Sequence, residues 1–484
     1  MQPALVKSLL ITSFLWQSLV SAQQTCEGAL TPSYVAPAVA DGYTARLIAD
    51  SLTEPRSIKF DSQGALLVVQ QNVGISVHTL VDGENDCLSI GSSKWLVNNT
   101  LLNHGIELSE DDTTLYASTQ TALYSWDYDA EMQTVSSVNR TLVTGMTGTN
   151  HQTRTLLLPK SAPNLILISR GSKGNLDYET VNVDSGVSQI KAFDMTNMTE
   201  PYDYVQDGLV VGWGLRNSVG VAEHPVDYGI WSVENSADEL ERSGETVSRD
   251  NPAEEMNFHG FLNGTESPDF GQNFGYPTCF AAGAPSALPD FDGQVGDSFV
   301  IGSLNDTNSD DSCTNQKPRL SFQAHSAPLD IKFNNAGTAA WMTFHGSWNR
   351  DDPTGYSLVV VEFANGQPVE SSTSTTAARS VVFTEDLSPC NGGDGTCIRP
   401  VGLAWDSKGR LFMTSDGTGE LWVITRTDGS PTSGAGSNAT GTIPESSGTE
   451  TSSAAESSDT STASLMSVGA LPLAFVFSVL AFVL

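Results

Sequence analysis

One pattern recurs six times along this chain and constrains its fold more than any other feature. Each copy is an apolar run, a polar turn often of Asp/Gly type, and a second apolar run. The copies are SIKFDSQGALLVV from Ser57, GIELSEDDTTLYAS from Gly105, TLLLPKSAPNLILIS from Thr155, GVAEHPVDYGIWSV from Gly220, DIKFNNAGTAAWMT from Asp330 and GLAWDSKGRLFMT from Gly402. Two apolar runs around such a turn read as an antiparallel hairpin. Most copies start about 50 to 70 residues apart, with one longer gap between the fourth and fifth. A unit of this size is a small sheet that buries its faces only by packing on its neighbours, so six of them predict an all-β, six-bladed β-propeller. No long helical periodicity competes in the mature chain. A pair of β-sandwiches with coincidental hairpins is the alternative.

The residues leading each copy carry the functional signal. Pro55-Arg56 precedes the first copy and Asn103-His104 the second. His151 and Arg154 precede the third, Arg216-Asn217 the fourth, His325 to Pro328 the fifth, and Arg399-Pro400 the sixth. In a propeller the innermost strands surround the axis and their equivalent ends share one face, so these residues are expected around one central funnel. Three of the seven histidines fall there, with four arginines. Yet the chain as a whole is acidic, with 23 Lys and Arg against 56 Asp and Glu and a net charge of −33. That surface repels phosphate backbones, which excludes nucleic acid as a partner. Cations gathered at one spot of such a chain predict an anionic ligand.

The ends and the cysteines set the compartment. Lys7, the apolar run LLITSFLWQSLV and the small residues Val20-Ser21-Ala22 read as a secretory signal peptide over residues 1–22. The propeller is expected over 23–427, followed by a Ser/Thr-rich linker (428–464) and an apolar tail (465–484). Small residues around 452–458, a polar spacer and that tail match a glycosylphosphatidylinositol-anchor signal; a plain transmembrane helix is the alternative. The expectation is an extracellular protein that meets membrane only through a lipid anchor. The six cysteines fit disulfides in a secreted chain, with Cys390–Cys397 closing a short loop and Cys26–Cys87 and Cys279–Cys313 the sequence-local pairings. No spacing resembles a zinc site. Sequons at Asn98, Asn139, Asn197, Asn263, Asn305 and Asn438 predict glycosylated surface loops.

Five segments occur in a telling order: GLRNSVGVAEHP (214–225), EEMNFHG (254–260), NFGYP (273–277), AHSAPLDIKF (324–333) and FHGSWNRDDPTGY (344–356). Together they resemble the sorbosone dehydrogenase and soluble glucose dehydrogenase group of quinoproteins. Within it they are most similar to fungal pyranose dehydrogenases, auxiliary-activity enzymes dependent on pyrroloquinoline quinone (PQQ). The likeness runs from about Tyr43 to Ile424. It implies a six-bladed propeller with the quinone across the top of the axis and calcium beside it. The three carboxylates of the quinone would be the anion that the cationic ring requires.

The resemblance also implies roles. His151, in NHQTRTL, would be the base that takes the anomeric hydroxyl proton while hydride leaves for the quinone. Arg216 would sit at the reacting quinone carbonyl, where it stabilises developing negative charge, and Asn217 would bind the cofactor. Asn235, Ser236 and Ala237 would offer oxygens to calcium, which acts as a Lewis acid. Arg399 would grip a cofactor carboxylate, and Arg56, Arg154, His325, His345 and Arg350 would complete the cofactor-binding set. Three departures stand out. Asn150 replaces the acid that precedes the base in the bacterial glucose enzymes, leaving open what orients His151. Ser236-Ala237 replaces Gly-Pro. An insertion, Leu240–Pro252, precedes Glu254-Glu255, a pair that reads equally as two solvated loop carboxylates. His224 and His259 read as structural. Trp213, Tyr276 and Trp348 are candidates to stack on quinone or sugar, with core packing the alternative, and Lys173, Asn175 and Asp177 to line the substrate mouth.

The implied function is oxidation of the anomeric carbon of a pyranose, or of a 2-ketoaldose, with electrons passed to an external acceptor such as a cytochrome, a copper oxygenase or a small-molecule quinone. Beyond about Arg426 only linker and anchor signal are expected, so the acceptor would be a separate molecule. Two rivals belong to other classes. A calcium-dependent propeller lactonase needs inward Asp, Glu and Asn chelators, where this ring carries Arg and His. A non-catalytic propeller that binds sugars or proteins would have no use for His151, Arg216 and Arg399 together.

Overall fold

The turn chemistry written into the copies is what the chain uses to build its hairpins. In the first, the Asp61 carboxylate accepts the N–H groups of Gln63 (3.0 Å) and Ala65 (2.8 Å), and Gly64 takes the left-handed conformation that closes the turn. Asn334 does the same for Thr338 and Ala339 with Gly337, and Asp406 for Lys408 and Arg410 with Gly409. The computed structural model describes residues 26–434 apart from 27, 85–86, 149, 197, 349 and 391–395. The expected signal peptide, most of the linker, the apolar tail, and the sequons Asn197 and Asn438 lie outside the described residues.

Each of the six copies forms the first two strands of one antiparallel blade. The inner strands are Pro55–Phe60, Leu102–Leu108, Leu156–Leu157, Ser218–Glu223, Pro328–Phe333 and Pro400–Trp405. Each lies beside the inner strands of the blades on either side, so the ring is closed. The last blade takes its outermost strand from the other end of the domain: Tyr43–Ala49 pairs antiparallel with Glu420–Arg426. The protein is therefore an all-β, six-bladed β-propeller. Its core lies between blades; Trp231 and Met256 of the fourth, for example, pack with Ile331 and Met342 of the fifth. Val219, Leu329 and Val401, from the adjacent inner strands of the fourth, fifth and sixth blades, pack together as a small apolar plug.

The long gap between the fourth and fifth copies holds no hidden blade. It contains the third and fourth strands of the fourth blade, Glu254–Phe261 and Leu320–Phe322, together with two excursions. One is a hairpin pairing Glu241–Arg242 with Glu245–Thr246; the other pairs Cys279–Ala281 with Ser298–Val300. Arg242, fully buried, ties them together by a two-pronged bond to Asp310, both contacts 2.7 Å. Glu254 and Glu255 are thus not solvated loop carboxylates but buried residues of a strand. The disulfides are Cys26–Cys87, Cys279–Cys313 and Cys390–Cys397.

Candidate active site

All inner strands start at one end of the axis, where a cavity of about 950 Å³ opens above the plug. Nine of the twelve residues expected as base, cofactor or calcium groups line it: Arg56, His151, Arg216, Asn217, Asn235, Ser236, His325, His345 and Arg399. Three do not. The Ala237 side chain packs with Leu240, Val247 and Tyr276. Arg350 walls an adjoining cavity of about 610 Å³ and donates to the carbonyls of Arg249 and Asp352. Arg154 lies behind the wall, bonded to backbone carbonyls.

One side of the cavity is organised by Asp416. Its carboxylate receives Arg56 at 2.5 Å and His345 Nε2 at 2.7 Å, while Arg56 Nε donates to His104 Nδ1 at 3.3 Å. Burial alone would raise the Asp416 carboxyl, but His345 and Arg56 outweigh it and hold it well below the usual range. Next to this group Arg399 is differently placed. It is 7% exposed, donates to the Gly346 carbonyl at 2.9 Å, and lies 5.4 Å from the centre of the Tyr356 ring. Its Nε has no partner and, among the described residues, no carboxylate pairs with it. A guanidinium at the cavity wall with no carboxylate partner among the described residues suits an anionic ligand.

Arg216 is held from several sides. Its backbone N–H donates to Glu234 (2.6 Å), Nε to the Asn175 carbonyl (3.1 Å), and Nη2 to the Asn175 side chain (2.9 Å) and Asp238 (3.3 Å). Below it the Glu254 carboxylate accepts the N–H groups of Ser236 (2.7 Å) and Ala327 (3.2 Å). Burial pushes both the Glu254 and Glu255 carboxyls up to about 7.

His151 faces Arg216 across a turn that leaves no room. A Cβ on Gly171 would lie 2.5 Å from Asn217 Oδ1 and 2.7 Å from His151 Cβ, so glycine alone fits between them. The next residue, Ser172, orients the ring. His151 Nδ1 lies 3.0 Å from the Ser172 carbonyl and 2.9 Å from its hydroxyl, whose own proton goes to the Gly174 carbonyl at 2.6 Å. Both Ser172 atoms are therefore acceptors, the ring carries its proton on Nδ1, and Nε2 presents a lone pair. Burial, then the charge of Arg216, lower the imidazole to about 3 and keep it neutral. His325 is the opposite case. Its two nitrogens meet the Asp238 carboxylate (3.0 Å) and the Ser248 carbonyl, and satisfying both requires the imidazolium. Burial opposes that charge, but these two bonds outweigh it and raise the pKa above the ordinary value.

The remaining candidates divide cleanly. Trp348 lines the mouth with 59% of its surface exposed. Tyr276 stands behind the wall, its hydroxyl bonded to Asp177 N–H (2.7 Å) and the Asn175 carbonyl (3.0 Å). Trp213 bridges to Asn273 away from the cavity. Asn175 reaches the cavity, Asp177 caps the short helix Tyr178–Val181, and Lys173 pairs with Glu179. His224 and His259 are buried and bonded to the Gly337 carbonyl and Ser232 hydroxyl, both at 2.8 Å, as structural histidines. Near Asn235 and Ser236 the cavity wall offers amide, hydroxyl, carbonyl and Glu254 oxygens, and no cluster of His, Cys, Asp and Glu ligands exists among the described residues. An all-oxygen donor set suits a hard cation such as calcium.

Comparison with known proteins agrees with this architecture. Residues 37–427 match the TrAA12-like family. The chain is 46% identical over 412 residues to a pyrroloquinoline quinone-dependent sugar dehydrogenase of Hypocrea jecorina, covering 84% of this chain and 93% of that one. It is 37% identical over 422 residues to a pyrroloquinoline quinone-dependent pyranose dehydrogenase of Coprinopsis cinerea, covering 84% of this chain and 56% of that one. Among solved structures, the calcium structure of a Trichoderma reesei carbohydrate-active enzyme of family AA12 aligns with a TM-score of 0.79 at 48% identity, over 82% of this chain and 99% of that one. The holo form of the Coprinopsis cinerea pyranose dehydrogenase PQQ domain aligns at 0.77 with 36% identity, over 83% and 99%. A match across most of its length and a relative this similar in sequence make the chain a member of the TrAA12-like family.

Proposed function

We propose that the protein is a PQQ-dependent sugar dehydrogenase that oxidises the anomeric carbon of a pyranose. Its kinship with sugar and pyranose dehydrogenases supports the class. The observation that carries the reading is His151, neutral and with Nε2 free, at the wall of a cavity that gathers Arg56, Arg216 and Arg399 among carboxylates such as Asp238, Glu254 and Asp416. Arg399, which has no carboxylate partner among the described residues, Arg56 and His345 would hold the carboxylates of the quinone, with Asn217 and His325 beside them. Asn235, Ser236 and the Ala237 backbone would hold calcium. When bound, the quinone supplies a two-electron hydride acceptor and calcium a Lewis acid beside it.

The residues of the chain do the rest. His151 Nε2 takes the proton of the anomeric hydroxyl, with Ser172 keeping the opposite nitrogen protonated. Asn175, Asp238 and the Asn235 carbonyl fix the plane of Arg216, whose charge and remaining Nη1 hydrogen would stabilise an oxygen on which negative charge develops. Arg350 and Arg154 bind no cofactor in this reading. The three disulfides support secretion, and the tail sequence supports a lipid anchor. The acceptor is external: a cytochrome, a copper oxygenase or a small quinone.

Reconstitution tests the proposal. Residues 23–427 are produced, loaded with PQQ and calcium, and followed by the quinone spectrum and by dye reduction with a panel of pyranoses. Binding at micromolar quinone with sugar-dependent reduction is expected; no binding at that level sinks the reading. His151→Ala should still bind quinone and lose turnover by about 10²-fold or more.

A further inference from the structure

The segment that carries His151 connects the outer strand Arg140–Thr144 of the second blade to the inner strand Leu156–Leu157 of the third. It is held chiefly by side chains gripping its carbonyls. Arg154 Nη1 donates to the His151 and Thr153 carbonyls (2.8 and 2.7 Å), and Nη2 to that of Met146 (3.0 Å). Arg170 bonds the Thr147 carbonyl with one nitrogen and the Gly186 carbonyl (2.7 Å) with another. Asn103 from the second blade holds the Gln152 carbonyl at 2.9 Å.

The two arginines are unusual in what they lack. Arg154 is 0% and Arg170 3% exposed, yet among the described residues neither has a carboxylate within ion-pair distance, and both Nε atoms are unpartnered. Two buried guanidiniums without an ion-pair partner carry a desolvation cost that is met chiefly by these carbonyls and, for Arg170, by the Tyr204 ring 5.6 Å away and more distant acids. Burial, then Arg170, push Arg154 down only to about 9, so it stays cationic at neutral and acidic pH. A fold that keeps such groups has a use for their geometry, which spans several carbonyls from one rigid plane.

We infer that Arg154, seconded by Arg170, is a positioning residue: it clamps the backbone on both sides of His151 and so fixes where the imidazole stands against Ser172 and the cavity. This rests on the reading of His151 as the base. The clamp also keeps the ring out of water. The groups that face the imidazole are Arg216 and Asp238 from the fourth blade, Ser172 from the third and Arg154 from its own segment, and burial is the largest influence on its proton affinity. Releasing the segment admits water, so the ring should protonate at higher pH even when the positive charge is retained.

The test uses the protein without quinone, its histidines labelled with nitrogen-15; there are only seven, and His151→Ala assigns the signal. Wild-type His151 should stay neutral, protonated on Nδ1, far into the acid range. Arg154→Lys keeps the charge and cannot span three carbonyls; with it the His151 titration should move up by about one pH unit or more. In the loaded enzyme kcat should fall at least about tenfold with KM near wild type, the size expected of a misplaced base. An Arg154→Lys protein that titrates and turns over as wild type overturns the inference. Should the Arg154 variants fail to fold, Arg170→Met, which frees only the Thr147 carbonyl of this segment, should shift His151 in the same direction by less, and no shift there overturns it too. The titration needs no turnover, so it decides the clamp even if His151→Ala were to remain fully active and the base assignment fell.

Discussion

His151 and His325 illustrate how much a side chain owes to its neighbours. One donates to two oxygens of a single serine through one nitrogen and is neutral; the other is caught between two acceptors and is charged. For His325 the consequence for stability has a definite sign. Its folded pKa lies above the ordinary value, so its contribution is complete below about pH 6.5 and fades as pH rises through the raised value. Melting temperature should therefore fall from pH 6 to pH 8 in the wild type and less steeply in His325→Gln, as calorimetry at both pH values would reveal. Gly171 makes a steric prediction: Gly171→Ala should push Asn217 and His151 apart, weakening quinone binding and turnover together by about tenfold or more. Equal titration curves for mutant and wild type would refute it. The sequence made His151 and Arg216 legible because their common phase before the copies marked them. Ser172 left no mark: it acts partly through a carbonyl every residue possesses, and Asn150 drew attention to the wrong side of the ring.

At the scale of the element, similar turns recur, each with a side-chain oxygen that accepts two backbone N–H groups. Asn334→Ala removes an acceptor shared by two backbone N–H groups at the end of the propeller away from the funnel, so it should cost about 1–2 kcal/mol of stability in denaturant titrations while kcat/KM stays unchanged. The hairpins were readable because their turns obey local rules. The other half of the site carried no such rule, so that His345, Asn175, Asn235 and Ser236 were named without a common phase and Ser172, Asp238 and Asp416 were missed, and the topology explains why. Two kinds of segment reach the funnel: the starts of the inner strands and the loops before them, with Arg56, His151, Arg216, His325 and Arg399, and the loops after the second strands, with Asn175, Asp238, His345 and Asp416 and, behind His151, Ser172. The second kind vary in length from the short turn at Asp416 to the excursion at Leu240–Pro252, so no fixed offset from the copy betrays them.

For the whole molecule, the ring depends on a strand distant in sequence. The copies revealed six blade cores but not that Tyr43–Ala49 completes the last, because a lone strand carries no repeat partner to announce it. A chain starting at Asp50 leaves the sixth blade a bare edge and uncovers Trp422 and Ile424. It should aggregate or fail to bind quinone, and a soluble truncated protein with native quinone affinity would contradict this. The apolar plug of Val219, Leu329 and Val401 has a kinetic consequence. Leu329 forms part of the cavity wall, and no residue of that cavity also lines the smaller one at the opposite end of the axis. The funnel is thus entered from its own end of the axis, where the cavity beside Arg350 adjoins it. In the dehydrogenase proposed above, sugar would leave as product before an electron acceptor approached the same spot, so initial rates at varied sugar and acceptor should give the parallel double-reciprocal lines of strict turn-taking.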